Sequence, residues 1–173
     1  VSLFSGGMER AALISDDGLY RYRLSRSWGS ARPMTFVMLN PSTADGLTDD
    51  NTIRKCIGFA GREGAGGIDV VNLFALRVSK PVHLFDGTIA EDPEGPDNLF
   101  HVQQAIEDVV FGGGMVVCGW GAKTGVERST AHAEILSLAA ANAVDFRCLV
   151  RNANGSPKHP LYIKNDQPLV DWP

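Results

Sequence analysis

The stretch Thr35-Phe36-Val37-Met38-Leu39-Asn40-Pro41-Ser42-Thr43-Ala44-Asp45 constrains the fold of this chain more than any other, because an apolar run breaks there at once into small polar residues. Phe36 to Leu39 is too short and too continuously apolar for an amphipathic helix, so it predicts a buried strand. Pro41 lacks the N–H that would extend the ladder and ends it. Asn40 then sits at the strand's carboxyl edge, where open α/β sheets bind ligands. Asn40, Pro41, Ser42, Thr43 and Asp45 are therefore the first candidate site residues. The same residue types also satisfy ordinary turn chemistry, which stays open as the alternative.

The flanking patterns predict the rest of an α/β domain over residues 8–173. Met8 reads as a start, so residues 1–7 are set aside as a non-native or disordered N-terminal segment. Residues 11–14 and 19–24 flank Ser15-Asp16-Asp17-Gly18 and read as a β-hairpin; Arg21, Arg23 and Arg26 could meet phosphate, but charged outward positions of an edge strand are the favoured reading. Asp49-Asp50-Asn51 offers N-caps for a helix carrying Ile53, Cys56, Ile57 and Ala60 at helical spacing. Its amino end would turn N–H groups and partial positive charge toward the Asn40 loop, which suits an anion. Glycines from Gly61 to Gly67 lead into a second strand over 68–74 that contains Asn72, followed by an irregular rim or lid over 81–96.

Asp97 predicts the cap of a further helix with a Leu99, Val102, Ile106, Val109, Val110 stripe, on which His101 reads as solvated. A third strand over 115–118, a helix over 126–143 and a fourth strand over 145–150 complete a β-α-β-α-β-α-β order. That order implies a three-layer sandwich around a central, mostly parallel four-stranded sheet, plus the hairpin.

Composition narrows the partners. At 173 residues the chain fits one domain, and 44% hydrophobic against 21% charged residues, with no transmembrane or secretory run, is the profile of a cytoplasmic protein without a membrane partner. Cys56, Cys118 and Cys148 lie in apolar segments without metal-ligand spacing to one another or to His83, His101, His132 and His159, so they read as buried thiols and no metal or cofactor is expected. A formal net charge of −4 opposes sequence-blind duplex binding, which depends on many Lys and Arg contacts to phosphate. The composition sets no oligomeric state.

Three later features bear on chemistry. Trp120, between Gly119 and Gly121 at a strand's carboxyl end, can cover a planar ligand or fill space above the sheet. Gly119 to Gly125 is not a P-loop, since Ala122 stands where Gly must precede the Lys-Thr pair; as a dinucleotide fingerprint its third glycine comes one residue late. His159 follows the fourth strand at the same edge as Asn40 and Asn72, where an imidazole can exchange a proton or donate to a developing anion.

Through Leu39-Asn-Pro-Ser-Thr-Ala-Asp45, Thr52-Ile-Arg54, Val71-Asn-Leu-Phe-Ala-Leu-Arg77, Gly95-Pro-Asp-Asn98, Trp120-Gly121 and His159-Pro-Leu-Tyr162, the chain resembles the bacterial and phage family designated domain of unknown function 1643. More distantly it resembles the uracil-DNA glycosylase superfamily. That resemblance implies a glycosylase-like fold in which Asn40-Pro41 positions a hydrolytic water, Asn72 reads the base edge and His159-Pro160 holds the leaving base. Ser42 stands where that pattern usually has Gly, Leu161 replaces the Ser after His-Pro, and three cysteines cannot supply the four ligands of the iron–sulfur members.

The expected function is an N-glycosidic hydrolase directed at a nucleobase or nucleotide, free or in nucleic acid. Asn40, Asp45 and His159 would be catalytic, and Pro41, Ser42, Asn72, Phe74 and Trp120 would bind substrate. A non-catalytic nucleotide or nucleic-acid binding module is the alternative, and a dinucleotide-dependent enzyme the third.

Overall fold

The computed structural model describes residues 7–173; residues 1–6 of the segment set aside above lie outside the described residues. In chain order the elements are β1 (Glu9–Ile14), β2 (Arg21–Ser27), β3 (Pro33–Met38), α1 (Asn51–Arg62), β4 (Gly67–Asn72), α2 (Asn98–Gly112), β5 (Val116–Cys118), α3 (Thr130–Ala140), β6 (Phe146–Cys148) and β7 (Val170–Asp171). The strands form a single sheet in the order β1-β2-β4-β3-β5-β6-β7. The four inner strands β4, β3, β5 and β6 run parallel, whereas β2 joins β4, and β7 joins β6, antiparallel.

Alternation along β3 explains the layering. Met34, Phe36 and Met38 face the cluster built by Ile53, Cys56 and Phe59 of α1, while Val37 faces the opposite cluster with Val102 and Ile106 of α2 and Ile135 of α3. One helix thus covers one face and two cover the other. The parallel strands are mainly apolar because both faces are covered, with Thr35, Asp69 and Asn72 as buried polar exceptions.

Local signals place the helix starts. Asp50 caps α1 by accepting from the Ile53 amide at 2.9 Å. Ser129 caps α3 through the His132 amide, and Glu94, in the irregular 81–96 segment, accepts from the Thr130 and Ala131 amides of the same helix. All three cysteines are free and buried. Among the described residues no helix is long and apolar enough to cross a membrane.

The structure corrects several sequence expectations. The sheet has seven strands, since the hairpin is not a separate appendage: β2 pairs with β4 from Leu24↔Val70 to Ser27↔Gly67. β7, only two residues long, carries no periodicity to read. The helix expected over 126–143 starts at Thr130, after a separate 3-10 turn at Val126–Arg128. Asp97 precedes α2 without a side-chain cap bond, Val110 is exposed, and His101 packs on the Tyr22 ring at 4.9 Å between centroids.

The arginines of β2 are not a solvated edge either. β1 pairs along the outer side of β2, so β2 is not an edge, and Arg21 and Arg26, which bond the 44–49 loop, are 3% and 1% exposed. Arg23 pairs with Asp69 and Asp108, and Arg26 with Asp49.

Candidate functional site

At the carboxyl ends of the parallel strands a cleft of about 430 Å³ opens. Asn40, Ser42, Asn72, Trp120 and His159 all line it, together with Arg21, Asp50, Lys123 and Tyr162. They converge because β3, β4 and β5 are parallel neighbours, so the loops leaving them emerge on one edge. The amino end of α1 completes one wall through Asp50, Thr52 and Ile53.

The Asn40 carboxamide is oriented without ambiguity. Its Nδ2 donates to the carbonyl oxygens of Pro41 at 2.8 Å and Val78 at 2.9 Å, which uses both amide hydrogens. Oδ1 is left as an acceptor, the polarity needed to receive a hydrogen bond from water. The Val78 amide donates back to the Pro41 carbonyl, latching the loop that carries Asn40.

Asn72, 1% exposed, has the opposite character. Its Nδ2 is buried without a hydrogen-bond partner among the described residues. A buried amide left unpaired costs about 1–3 kcal/mol, so the fold tolerates here a donor that a ligand's acceptor would satisfy. Its backbone is held from the opposite side: Asn98 Nδ2 donates to the Asn72 and Leu73 carbonyls. Asn98 is a support that sequence reading missed, since its Gly-Pro-Asp-Asn context signals only a turn.

His159 precedes the 3-10 turn Pro160–Tyr162 and its Nδ1 accepts from the Leu161 amide. The ring proton of the neutral form therefore resides on Nε2, leaving an N–H donor. Burial holds the His159 pKa below its ordinary value, with only partial opposition from the Asp50 carboxylate, so the ring is neutral near pH 7. Tyr162, 74% exposed, lies against the His159 ring at 5.9 Å between centroids and offers a flat surface at the cleft rim.

Other candidate residues lie elsewhere. Asp45 is not in the lining; its Oδ1 accepts from the Leu47 and Thr48 amides, which lower its pKa and make it a loop organiser. Phe74 is 1% exposed in the core, edge-on to Phe85 at 5.0 Å, and is absent from the cleft lining. Pro41 is buried and contributes its carbonyl to the Asn40 latch rather than a cleft wall, and Thr43 is exposed outside the cleft. Trp120 is 3% exposed, its ring edge-on to Trp172 and His132, so it both fills the core and borders the cleft. The Gly119–Gly125 loop leads into a 3-10 turn and not into a helix N-terminus.

Asp50, Arg21, Lys123 and Tyr162 line the cleft but are not among the sequence-predicted site residues. Asp50 reads as a helix cap, and Arg21, a possible phosphate contact by residue type, reads more readily as an edge charge. Among the described residues no three His, Cys, Asp or Glu side chains cluster as a metal site.

Gly119 allows the His159 loop to approach. A Cβ there would lie 2.9 Å from Pro160 Cδ and 3.1 Å from Met38 Sδ. Gly119→Ala is expected to lower stability in urea titration by about 1–3 kcal/mol through overpacking and to displace Pro160, read as a shift of the His159 ring resonances in NMR. Wild-type stability with unmoved ring resonances would show that the loop has slack.

In comparisons with known proteins, the model of the family described as "Protein of unknown function (DUF1643)" matches residues 21–161. The curated proteins give no match. Among solved structures, an aminopeptidase from the marine sediment archaeon Thaumarchaeota archaeon is similar at 11% identity and a TM-score of 0.35, over 70% of this chain and 22% of that one. The chain thus spans less than a quarter of that protein's length.

Proposed function

The chain belongs to the family described as protein of unknown function (DUF1643), and for this member we propose N-glycosidic hydrolysis of a nucleobase-bearing substrate. The observation that carries the reading is the set of three polarities in one cleft: an acceptor-only Asn40 amide, an unpaired Asn72 donor and a neutral His159 with its proton on Nε2.

In this reading water, held by Asn40 Oδ1, forms the new bond to the sugar's anomeric carbon as the carbon–nitrogen bond breaks. The electron pair leaves with the base. Its developing negative charge is met by the His159 N–H, and one such preorganised donor is worth about 3 kcal/mol in the transition state. The water proton passes to Asp50, the carboxylate in the cleft lining, whose Oδ1 is steadied by the Ile53 amide. Asn72 pairs with an acceptor on the base edge, and Tyr162 offers the aromatic face that the sequence reading sought in Phe74. The order Asn40-Pro41, Asn72, His159-Pro160 supports the reading further through its likeness to the uracil-DNA glycosylase pattern.

The test is release of free base, followed by chromatography, from nucleosides, nucleoside monophosphates and single- and double-stranded oligonucleotides carrying uracil, the normal bases and modified bases. Release from at least one substrate, abolished by heat denaturation, is the expected result. No release from any of them, with binding retained, would replace the hydrolase with a nucleotide-binding module.

A further inference from the structure

Arg21 is a buried cation with no carboxylate in direct ion-pair contact among the described residues; Asp50 and Asp45 act on it only through space. Of the three arginines on β2, Arg23 and Arg26 each meet aspartates, whereas Arg21 has no carboxylate within ion-pair distance among the described residues. Its Nη1 donates to the Ala44 carbonyl at 2.6 Å, and its Nε is buried without a partner. One Nη1 hydrogen is thus spent on the protein, and the Nε–Nη2 edge is left over. That edge carries two parallel N–H groups and matches two oxygens of one anion. Burial lowers the Arg21 pKa to about 10, still well above neutrality, so the guanidinium is charged. A buried charge without a direct partner is costly, and an anionic ligand would supply one.

The surroundings favour an anion in the cleft. Its lining holds two cations, Arg21 and Lys123, against one carboxylate, Asp50, in a chain of formal net charge −4. The amino end of the 12-residue helix α1 adds partial positive charge on the same wall. A single deep guanidinium with one further cation suits a terminal phosphate rather than the many phosphates of a polymer backbone, which would need a basic track. A cavity of about 430 Å³ is in the range of small-molecule sites.

We propose that the cleft takes a free nucleoside monophosphate, its terminal phosphate held by the Nε–Nη2 edge of Arg21 and by Lys123. The identity of the organic part rests on the nucleobase reading above; the phosphate rests on Arg21.

Isothermal titration with deoxyuridine, thymidine, cytidine, adenosine and guanosine, each beside its 5′-monophosphate, tests this. At least one monophosphate is expected to bind about 30-fold or more tighter than its nucleoside, with inorganic phosphate competing. Arg21→Gln is expected to reduce that ratio to within about 3-fold, and Lys123→Ala to reduce it partway. Should the Arg21 variant fail to fold, the wild-type ratio, phosphate competition and Lys123→Ala still decide.

Equal affinity for nucleoside and monophosphate, binding of neither, or tight binding confined to oligonucleotides would overturn the proposal. The two readings fail separately. Base release without a phosphate preference removes the phosphate site and keeps the hydrolase, whereas Arg21-dependent monophosphate binding without base release does the reverse.

Discussion

His159→Ala is expected to slow base release by about 100-fold or more while leaving the urea transition in place, because it deletes a donor that acts on charge present only in the transition state. Asn40→Ala should cost a similar factor by releasing the water acceptor, and the double variant should cost less than the product, since both act on one displacement. Substrate affinity should change less than the rate.

The pH profile sharpens the expectation. With Nδ1 accepting from the Leu161 amide, a second ring proton would confront that N–H, and burial already disfavours the charged ring. The rate should therefore be level through neutral pH and fall only on the acid side, below the ordinary histidine value of about 6.5. His159→Ala should lose that acid limb. The same linkage acts on stability: a histidine whose folded pKa is lowered binds fewer protons folded than unfolded, so its contribution erodes as pH falls below about 6.5 and levels off below the folded value. Single-turnover release across pH checks the first statement, and urea titration across pH checks the second. Rates unchanged in both single variants would reject the residue assignments.

Arg26→Ala is expected to destabilise the protein by about 3–5 kcal/mol, a large share of the 5–15 kcal/mol usual for a domain of this kind. The Arg26 side chain is fully buried and binds Asp49 at 2.8 Å and the carbonyls of Ser25 at 2.8 Å and Asp45 at 2.6 Å. Asp49 would keep Arg10 as a partner, so most of the loss comes from the buried carbonyls and the cavity. These contacts also tie the loop after Asn40 to β2. Amide exchange at Leu47 and Thr48, whose N–H groups bond Asp45, should accelerate in the variant. A shift in the urea transition below about 1 kcal/mol would show that the loop is held by other means.

Much of the frame was legible because it depends on residues close in sequence. A continuous apolar run such as Phe36 to Leu39 cannot sit on a solvated element, Asp50 satisfies the amide three residues on, and Pro41 ends a ladder wherever it occurs. Strands joined by crossover helices run parallel, which brings Asn40, Asn72, Trp120 and His159 to one edge without any knowledge of side-chain packing.

Tertiary structure alone decided the rest, because burial and hydrogen-bond partners are set by chain segments far away in sequence. Arg21 has the same local pattern as a surface arginine; the carbonyl of Ala44, 23 residues away, and the loop that carries it make it a buried cleft cation. Phe74 reads as a stacking ring until Phe85 packs edge-on against it; Asp45, by contrast, is captured locally by the amides two and three residues on, a turn its own sequence context permits. The sequence by itself determined which strand ends meet. The packing between distant segments determined which side chains at those ends remain free to meet a ligand, since an atom's solvation and pairing follow from what lies against it in space.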